Sequence, residues 1–134
     1  MILIVCVDNK NGVQFNHRRQ SQDSLLRERI LRLTAGSRLW MNAYSAKQFD
    51  YAAPQITVSE DFLFQAADGE YCFLENADPT AYIGQLERMI LYRWNRDYPA
   101  DVHLPPALSG VRLEQKTYFP GSSHKTITEE VYLP

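Results

Sequence analysis

The first seven residues constrain the fold more than any other segment. Residues 1–7 (MILIVCV) form an unbroken apolar run that ends at the polar residues 8–12 (DNKNG). Such a run is typical of a strand buried on both faces, as in a sheet covered by other elements. It is far shorter than the roughly 20 apolar residues of a membrane span, and it lacks the basic start and small-residue cleavage site of a secretion signal. We therefore expect a buried strand first, and no membrane partner.

Helix-like and strand-like patterns alternate after this run. Leu26, Ile30 and Leu33 recur at helical spacing; Ser21 or Asp23 can cap that helix, and Gly36 ends it. The segment 8–21 is polar and reads as a long loop. The remaining expected elements are strand 38–41, helix 43–49, strand 55–58, helix 60–67, strand 71–74, a helix opening at 78–79, strand 89–94, and strands 111–119 and 127–133.

This order predicts an α/β fold with a mainly parallel central sheet flanked by helices. The last two strands follow each other without a helix, so they are expected to form an antiparallel pair at the C-terminal edge. A chain of 134 residues is the size of a single domain, spanning 1–134.

Composition restricts the classes of function. Hydrophobic residues make up 45% and charged residues 22%, which argues against disorder. Fourteen Lys and Arg against sixteen Asp and Glu exclude a histone-like positive coat, but not a local basic patch. Cys6 and Cys72 lie in apolar stretches, so we expect reduced thiols and a cytoplasmic location. Because no metal-ligand spacing, Walker loop or nucleophile elbow occurs, we expect no metal and no cofactor.

Three segments resemble the dihydrofolate reductase-like fold family. That family opens with an apolar strand, a Val-Asp pair and a Gly-Ile, similar to residues 1–13 here. Residues 41–45 (MNAYS) are similar to its Met-Gly-Arg-x-Thr stretch, and residues 101–105 (DVHLP) to its Asp-x-x-Phe-Pro segment. The resemblance implies a mobile first loop lying over a ligand site, and two long terminal strands.

The cofactor positions implied by the resemblance depart from the family pattern. The family has two glycines after a buried strand, which let a pyrophosphate approach backbone N–H groups. Here Glu75 and Asn76 follow strand 71–74, and a carboxylate there would repel a pyrophosphate. The Arg and Thr of the Met-Gly-Arg-x-Thr stretch are replaced by Ala43 and Ser45.

The substrate positions also depart from it. The resemblance implies a carboxylate eight residues before a Thr at the end of the first helix. Counting back from Thr34 gives Leu26, and the nearest acid is Asp23. The Pro-Trp of the family's first loop is absent. The resemblance thus implies a retained scaffold without reductase activity.

The densest polar stretch, residues 16–23, falls on the first loop. Between residues 17 and 38 six arginines stand against two acids, a local charge of +4. Arginine forks suit phosphate and carboxylate, so the first hypothesis is binding of a small anionic or nucleotide-like ligand. A solvated loop beside a charged helix face explains the same residues. The candidate ligand-binding residues are Asn16, Arg18, Arg19, Arg38, Asn42, Arg93, Trp94, Asn95, Arg96, Ser122, Ser123 and Lys125.

Two later segments add to this set. Residues 93–96 (RWNR) follow a predicted strand at its carboxyl end, where an open α/β sheet presents side chains to ligands. Residues 121–125 (GSSHK) form a turn that could cradle a phosphate. If the fold is as predicted, Asn42, Asn95 and His17 share one end of the sheet. Core packing of Trp94 and a flexible hairpin turn are the plain alternatives.

Three other functions stay open. His17 and His124 could act as acid and base in a metal-independent phosphodiesterase or ribonuclease. Asp23 could serve a surviving reductase. The basic loop could instead belong to an interaction module for RNA or an acidic partner. The candidate catalytic residues are therefore His17, Asp23 and His124.

Overall fold

The computed structural model describes residues 1–49, 53–108 and 112–134. Their strands are β1 Ile2–Val7, β2 Gly12–Phe15, β3 Arg18–Arg19, β4 Leu39–Met41, β5 Ile56–Val58, β6 Tyr71–Leu74, β7 Arg88–Arg93, β8 Val102–His103, β9 Arg112–Phe119 and β10 Ile127–Leu133. Their helices are α1 Ser24–Leu33, α2 Ala43–Ala46 and α3 Phe62–Gln65, with 3-10 helices at Thr80–Gln85 and Pro106–Leu108.

The main sheet has the strand order β5-β4-β6-β1-β7-β10-β9. β1 pairs in parallel with β6 and β7, so the opening apolar run becomes the middle strand. β10 runs antiparallel between β7 and β9. This arrangement confirms the predicted fold class, a mainly parallel sheet with an antiparallel C-terminal pair.

The two faces of the sheet carry separate parts of the core. Side chains alternate along a strand, so Leu3 and Val5 of β1 point to one face and Ile4 to the other. Helix α1 covers the face of Ile4 through Leu26 and Ile30. The opposite face has no long helix among the described residues. It is covered by the short helix α3, the two 3-10 helices and the segments beside them.

The first loop holds more structure than its sequence predicts. β2 pairs with β3 and with β8, which makes a separate three-stranded sheet. These strands have two to four residues, too few for a periodic pattern to show. The predicted helices at 43–49 and 60–67 are shorter, and the helix opening at 78–79 is a 3-10 helix. The predicted start of β9 at Val111 lies outside the described residues.

One end of the sheet collects most of the polar candidates. The parallel strands β1, β4, β6 and β7 all end there. Because β10 is antiparallel and Thr128 pairs with Arg93, the turn that joins β9 to β10 reaches this end too. Within the described ranges, no helix has both the length and the apolar content of a membrane span.

Arg38 lies at the other end, so its grouping with the other ligand-binding candidates is wrong. It immediately precedes β4, and its carbonyl accepts from the Tyr71 amide at the start of β6. Its guanidinium pairs with Glu70 at 3.5 Å and lies over the Trp40 ring.

Candidate functional site

Asp23 connects the start of helix α1 to the β9–β10 turn. As the N-cap it accepts from the Leu25 and Leu26 amides at 3.0 and 3.1 Å. The Ser122 and Ser123 amides also donate to it, at 3.0 and 2.8 Å. Burial by itself would raise the pKa of this carboxyl, but the amide hydrogen bonds hold its pKa well below the usual range. The carboxylate is therefore fully engaged in holding two chain segments together.

His124 is enclosed beside Asp23. Its Nδ1 lies 3.2 Å from Asp23 Oδ2, and its Nε2 lies 2.8 Å from the Tyr98 hydroxyl and 3.2 Å from Ser21 Oγ. The ring stacks on Trp94 with 4.4 Å between centroids. Because a carboxylate only accepts, Nδ1 carries the proton in the neutral ring, and the single lone pair of Nε2 accepts from the closer Tyr98 hydroxyl. Both ring nitrogens are thus occupied by protein groups.

These contacts correct the catalytic roles suggested by the sequence. The side chains of Asp23 and His124 are 0% and 1% exposed, so neither reaches a substrate. His17 is exposed on the β2–β3 turn and lines a cleft of about 480 Å³ beside Asn76 and His103. In this conformation His17 and His124 are therefore not presented to one cleft, and Asp23 is not open to a substrate.

The segment 93–96 makes structural contacts. Arg93 binds the Glu130 carboxylate at 2.6 Å, and Trp94 is buried under α1 against His124. The Asn95 amide donates to a threonine carbonyl at 3.0 Å and a threonine hydroxyl at 2.9 Å where the chain enters β10. Arg96 donates to the Ser123 carbonyl at 3.2 Å. These side chains hold the β9–β10 turn against the sheet.

The serines of the β9–β10 turn are also used within the chain. Ser122 Oγ accepts from the Ser24 amide at 2.9 Å, and the Ser123 hydroxyl donates to the Gln22 carbonyl at 2.8 Å. Lys125 is exposed at the same turn. The turn's serine amides point at Asp23, so they are not arranged to cradle a phosphate.

Glu75 lies directly after β6 and carries a buried ion pair. Arg19 binds it with both prongs of its fork, Nε to Oε2 at 3.0 Å and Nη2 to Oε1 at 3.2 Å. Ser45 Oγ and Gln48 Nε2 donate to the same carboxylate at 2.8 and 2.9 Å. The Arg19 guanidinium also lies over the Tyr44 ring, 4.3 Å from its centroid. Arg19 of the first loop is therefore bound to the residue that directly follows strand β6 of the main sheet.

Asn42 completes this polar layer. Its Oδ1 accepts from the Ser45 amide at 3.0 Å and caps α2, while its Nδ2 donates to Asn76 Oδ1 at 2.8 Å. These bonds connect the ends of β4 and β6.

The space under the start of α1 is nearly closed. Cys6, Leu26, Ile30, Phe73 and Trp94 are among the residues that line a cavity of about 10 Å³. That volume accommodates about one water, whereas small-molecule sites measure roughly 300–1,000 Å³. No organic ligand fits between α1 and the sheet in this conformation.

A groove of about 570 Å³ lies on the outer side of the β2–β3 hairpin. We call it the arginine groove; its lining residues are Phe15, Asn16, Arg18, Arg19, Gln20, Tyr98 and Pro99. The hairpin turn is Asn16-His17, both at left-handed φ of 51° and 61°, as a two-residue hairpin turn requires. Phe15 and Arg18 form the closing pair. The turn geometry therefore places Arg18 at the groove.

The groove is basic. No acidic residue belongs to its lining, and Arg19 is neutralised by Glu75. Arg18 is exposed and forms no ion pair with the described carboxylates. Elsewhere in the described ranges, no group of three His, Cys, Asp or Glu could hold a metal ion.

No protein-family model and no curated protein matches the chain. Among solved structures it is similar to dihydrofolate reductase from Enterococcus faecalis, complexed with NADP(H) and RAB-propyl. The TM-score is 0.65 at 8% sequence identity, and the match covers 98% of this chain and 94% of that chain. The chain has a dihydrofolate reductase-like fold. At this identity the match establishes the fold, which is the fold that the sequence resemblance implied.

A dinucleotide cofactor does not fit the residues present after β6. The resemblance implies two glycines directly after this strand, whereas here Glu75 is 7% exposed and its carboxylate pairs with Arg19. A pyrophosphate would meet a carboxylate and a side-chain network in place of open backbone amides.

Sequence patterns do not reveal several of the groups at these sites. Glu75 was noted as a departure from the family, but nothing local connects it to Arg19, 56 residues away. Phe15, Gln20 and Tyr98 carried no motif at all. The clearest available signal is the charged residue directly after the apolar run 71–74, since a charge that is buried requires a charged or hydrogen-bonding partner.

Proposed function

We propose that this chain keeps a dihydrofolate reductase-like scaffold without reductase activity, and that it binds a small anionic or nucleotide-like molecule in the arginine groove. The observation that carries the proposal is a groove of about 570 Å³ with two arginines and no acid in its lining. That volume suits a small organic ligand. We also keep a cytoplasmic location in the proposal, because both cysteines are free thiols.

The charge of the groove favours an anion. Arg18 has no carboxylate partner among the described residues, and its guanidinium can bind a phosphate or carboxylate through two parallel hydrogen bonds. Arg19 is already paired with Glu75 and lies over the Tyr44 ring. Arg18 is therefore the guanidinium that is available to an anion in the groove.

Aromatic side chains favour a nucleotide-like molecule over a bare anion. Phe15 is 43% exposed at the groove, and Tyr98 lines the same space. Stacking of a base on an aromatic ring contributes about 1–3 kcal/mol. A ligand with a planar ring and a phosphate would use both features.

The absence of reductase activity rests on two further observations. The Glu75–Arg19 pair lies directly after β6, where the resemblance implies the family's cofactor glycines. The space under α1, where the resemblance implies the substrate carboxylate, measures about 10 Å³. Both support a scaffold reused for binding.

Calorimetric titration with adenosine monophosphate and adenosine tests the binding proposal. We expect the wild-type protein to bind the monophosphate more tightly than adenosine. Arg18→Ala should weaken the monophosphate about tenfold or more, since a charge-assisted hydrogen bond contributes about 1.5–3 kcal/mol. Arg27→Ala is the matched control, because Arg27 is a neighbouring arginine on α1 that donates to Gln22 and lies outside the groove. Equal effects of both substitutions, or no binding, would refute the proposal.

A further inference from the structure

A second groove follows strand β7 on the sheet face that has no long helix. Two adjoining cavities, of about 420 Å³ and about 200 Å³, share Met89, Leu108 and Tyr132 in their linings. The two cavities thus adjoin along β7, and we call them together the β7 groove. It shares no lining residue with the arginine groove.

The floor of the β7 groove is apolar. Met89 and Leu91 face it, while the intervening Ile90 joins the core under α1. Tyr132 of β10 pairs with Met89 and widens the floor. Leu86 lines the far end. From Met89 to Arg93 the strand advances about 13 Å, at about 3.3 Å per residue.

The end of the groove near the carboxyl end of β7 is basic. Lys10, Arg93 and His103 line it, and neither cavity has an acidic side chain in its lining. Arg93 is held by the buried Glu130 carboxylate, which Lys116 also approaches at 3.9 Å. The Lys10 ammonium has no ion pair with a described carboxylate. An incoming anion would therefore meet an uncompensated lysine at the mouth of an apolar channel.

We propose that the β7 groove binds a free medium-chain carboxylate. The head group lies at Lys10 and His103, and the alkyl tail runs over Met89 and Leu91 toward Leu86. A zigzag of single bonds advances about 1.2 Å per bond, so about 13 Å holds a chain of about ten carbons. Each methylene that leaves water contributes about 0.8 kcal/mol, so the tail supplies affinity and the cations set the orientation.

Titration calorimetry below the micellar concentration tests this assignment with decanoate, acetate and decyltrimethylammonium as probes. We expect decanoate to bind, acetate to bind at least a hundredfold more weakly, and the cationic detergent to bind at least tenfold more weakly than decanoate. Equal binding of the cationic detergent would overturn the charge assignment and with it the proposal. A response to phosphatidylglycerol vesicles without a response to free decanoate would assign the groove to a lipid surface and overturn it too.

Variants locate the site. Lys10→Glu removes the head-group cation, and Ala107→Trp places a large ring at an exposed position that lines the tail end. Each should weaken decanoate at least tenfold without lowering the melting temperature. Lys125→Glu is the matched charge control at an exposed lysine outside the groove, and it should leave binding unchanged. A larger loss in Arg88→Glu than in Lys10→Glu would place the carboxylate at the wrong end and refute the proposal.

Decanoate binding in the β7 groove can be tested separately from ligand binding in the arginine groove. Arg18→Ala should leave decanoate binding unchanged, because Arg18 lines only the other site. Loss of decanoate binding in Arg18→Ala would show that one site explains both ligands, and the β7 groove proposal would fall.

Discussion

At the scale of single residues, Asp23 shows how one buried carboxylate can hold two distant chain segments together. It accepts from backbone amides of α1 and from amides of a turn about a hundred positions later in the chain. His124 packs beside it and closes the same contact through its ring. A buried carboxylate with this many donors costs little to keep ionised, and its removal leaves several buried amides without an acceptor.

Substitution of Asp23 should lower the free energy of unfolding at neutral pH and make that free energy less sensitive to acid pH. The folded-state pKa of Asp23 lies below the value of about 3.9 for an unfolded chain. The unfolded state therefore takes up the proton first, so this contribution is complete above about pH 4 and is lost as the pH falls toward the folded-state pKa. Asp23→Asn should reduce the free energy of unfolding at neutral pH by at least about 3 kcal/mol, because it disrupts a buried charged network. It should also flatten the fall in stability below about pH 4.

Urea unfolding at neutral and acid pH measures both effects. Asp101→Asn is the control, since Asp101 is exposed and its carboxylate accepts from the Asn16 amide at 3.0 Å. Similar losses in the two variants would contradict the structural role given to Asp23.

At the scale of elements, the β2–β3 hairpin divides two neighbouring arginines between structure and binding. Arg19 points to Glu75 and Tyr44, and Arg18 points to the arginine groove. Consecutive residues of a strand face opposite sides, so this division follows from the two-residue turn that sets the hairpin's register. The sequence predicts that both arginines matter, but it cannot distinguish their roles.

The variants Arg18→Ala and Arg19→Ala should therefore differ in their free energy of unfolding. Arg19→Ala leaves the buried Glu75 without its counter-charge, which costs about 3–5 kcal/mol for such a pair. Arg18→Ala changes an exposed side chain and should stay within about 0.5 kcal/mol. Chemical unfolding of the two variants checks this, and the pair Arg19→Met with Glu75→Gln should recover part of the loss. Equal stabilities would show that the ion pair does not form in solution.

Much of the main sheet follows from the sequence, and the particular residues show why. The apolar runs at 1–7 and 71–74 predict buried strands because few other elements bury such short unbroken runs. The small sheet of β2, β3 and β8 was missed because its pairing joins segments about 90 residues apart, with strands of two to four residues. The burial of His124 was missed for a similar reason: its partners Asp23 and Tyr98 come from distant segments, and the GSSHK turn looks exposed by composition.

At the scale of the whole molecule, the match to dihydrofolate reductase covers 98% of this chain, so the two share a fold. Directly after β6, where the resemblance implies cofactor glycines, Glu75 pairs with Arg19, and the space under α1 measures about 10 Å³. Larger grooves lie beside the β2–β3 hairpin and along β7. Function resides in sites carried by a fold, so retention of the fold does not carry the reaction with it.

The most direct test of this account is a calorimetric titration of the wild-type protein with NADPH, followed by addition of dihydrofolate while the absorbance of the reduced cofactor is recorded. We expect no binding of micromolar affinity at the Glu75 position and no oxidation of NADPH above the rate without protein. Glu75→Gly serves as the comparison, because it removes the carboxylate that blocks the pyrophosphate position. Tight NADPH binding by the wild-type chain, with turnover of dihydrofolate, would contradict the claim that this scaffold has lost its reductase site.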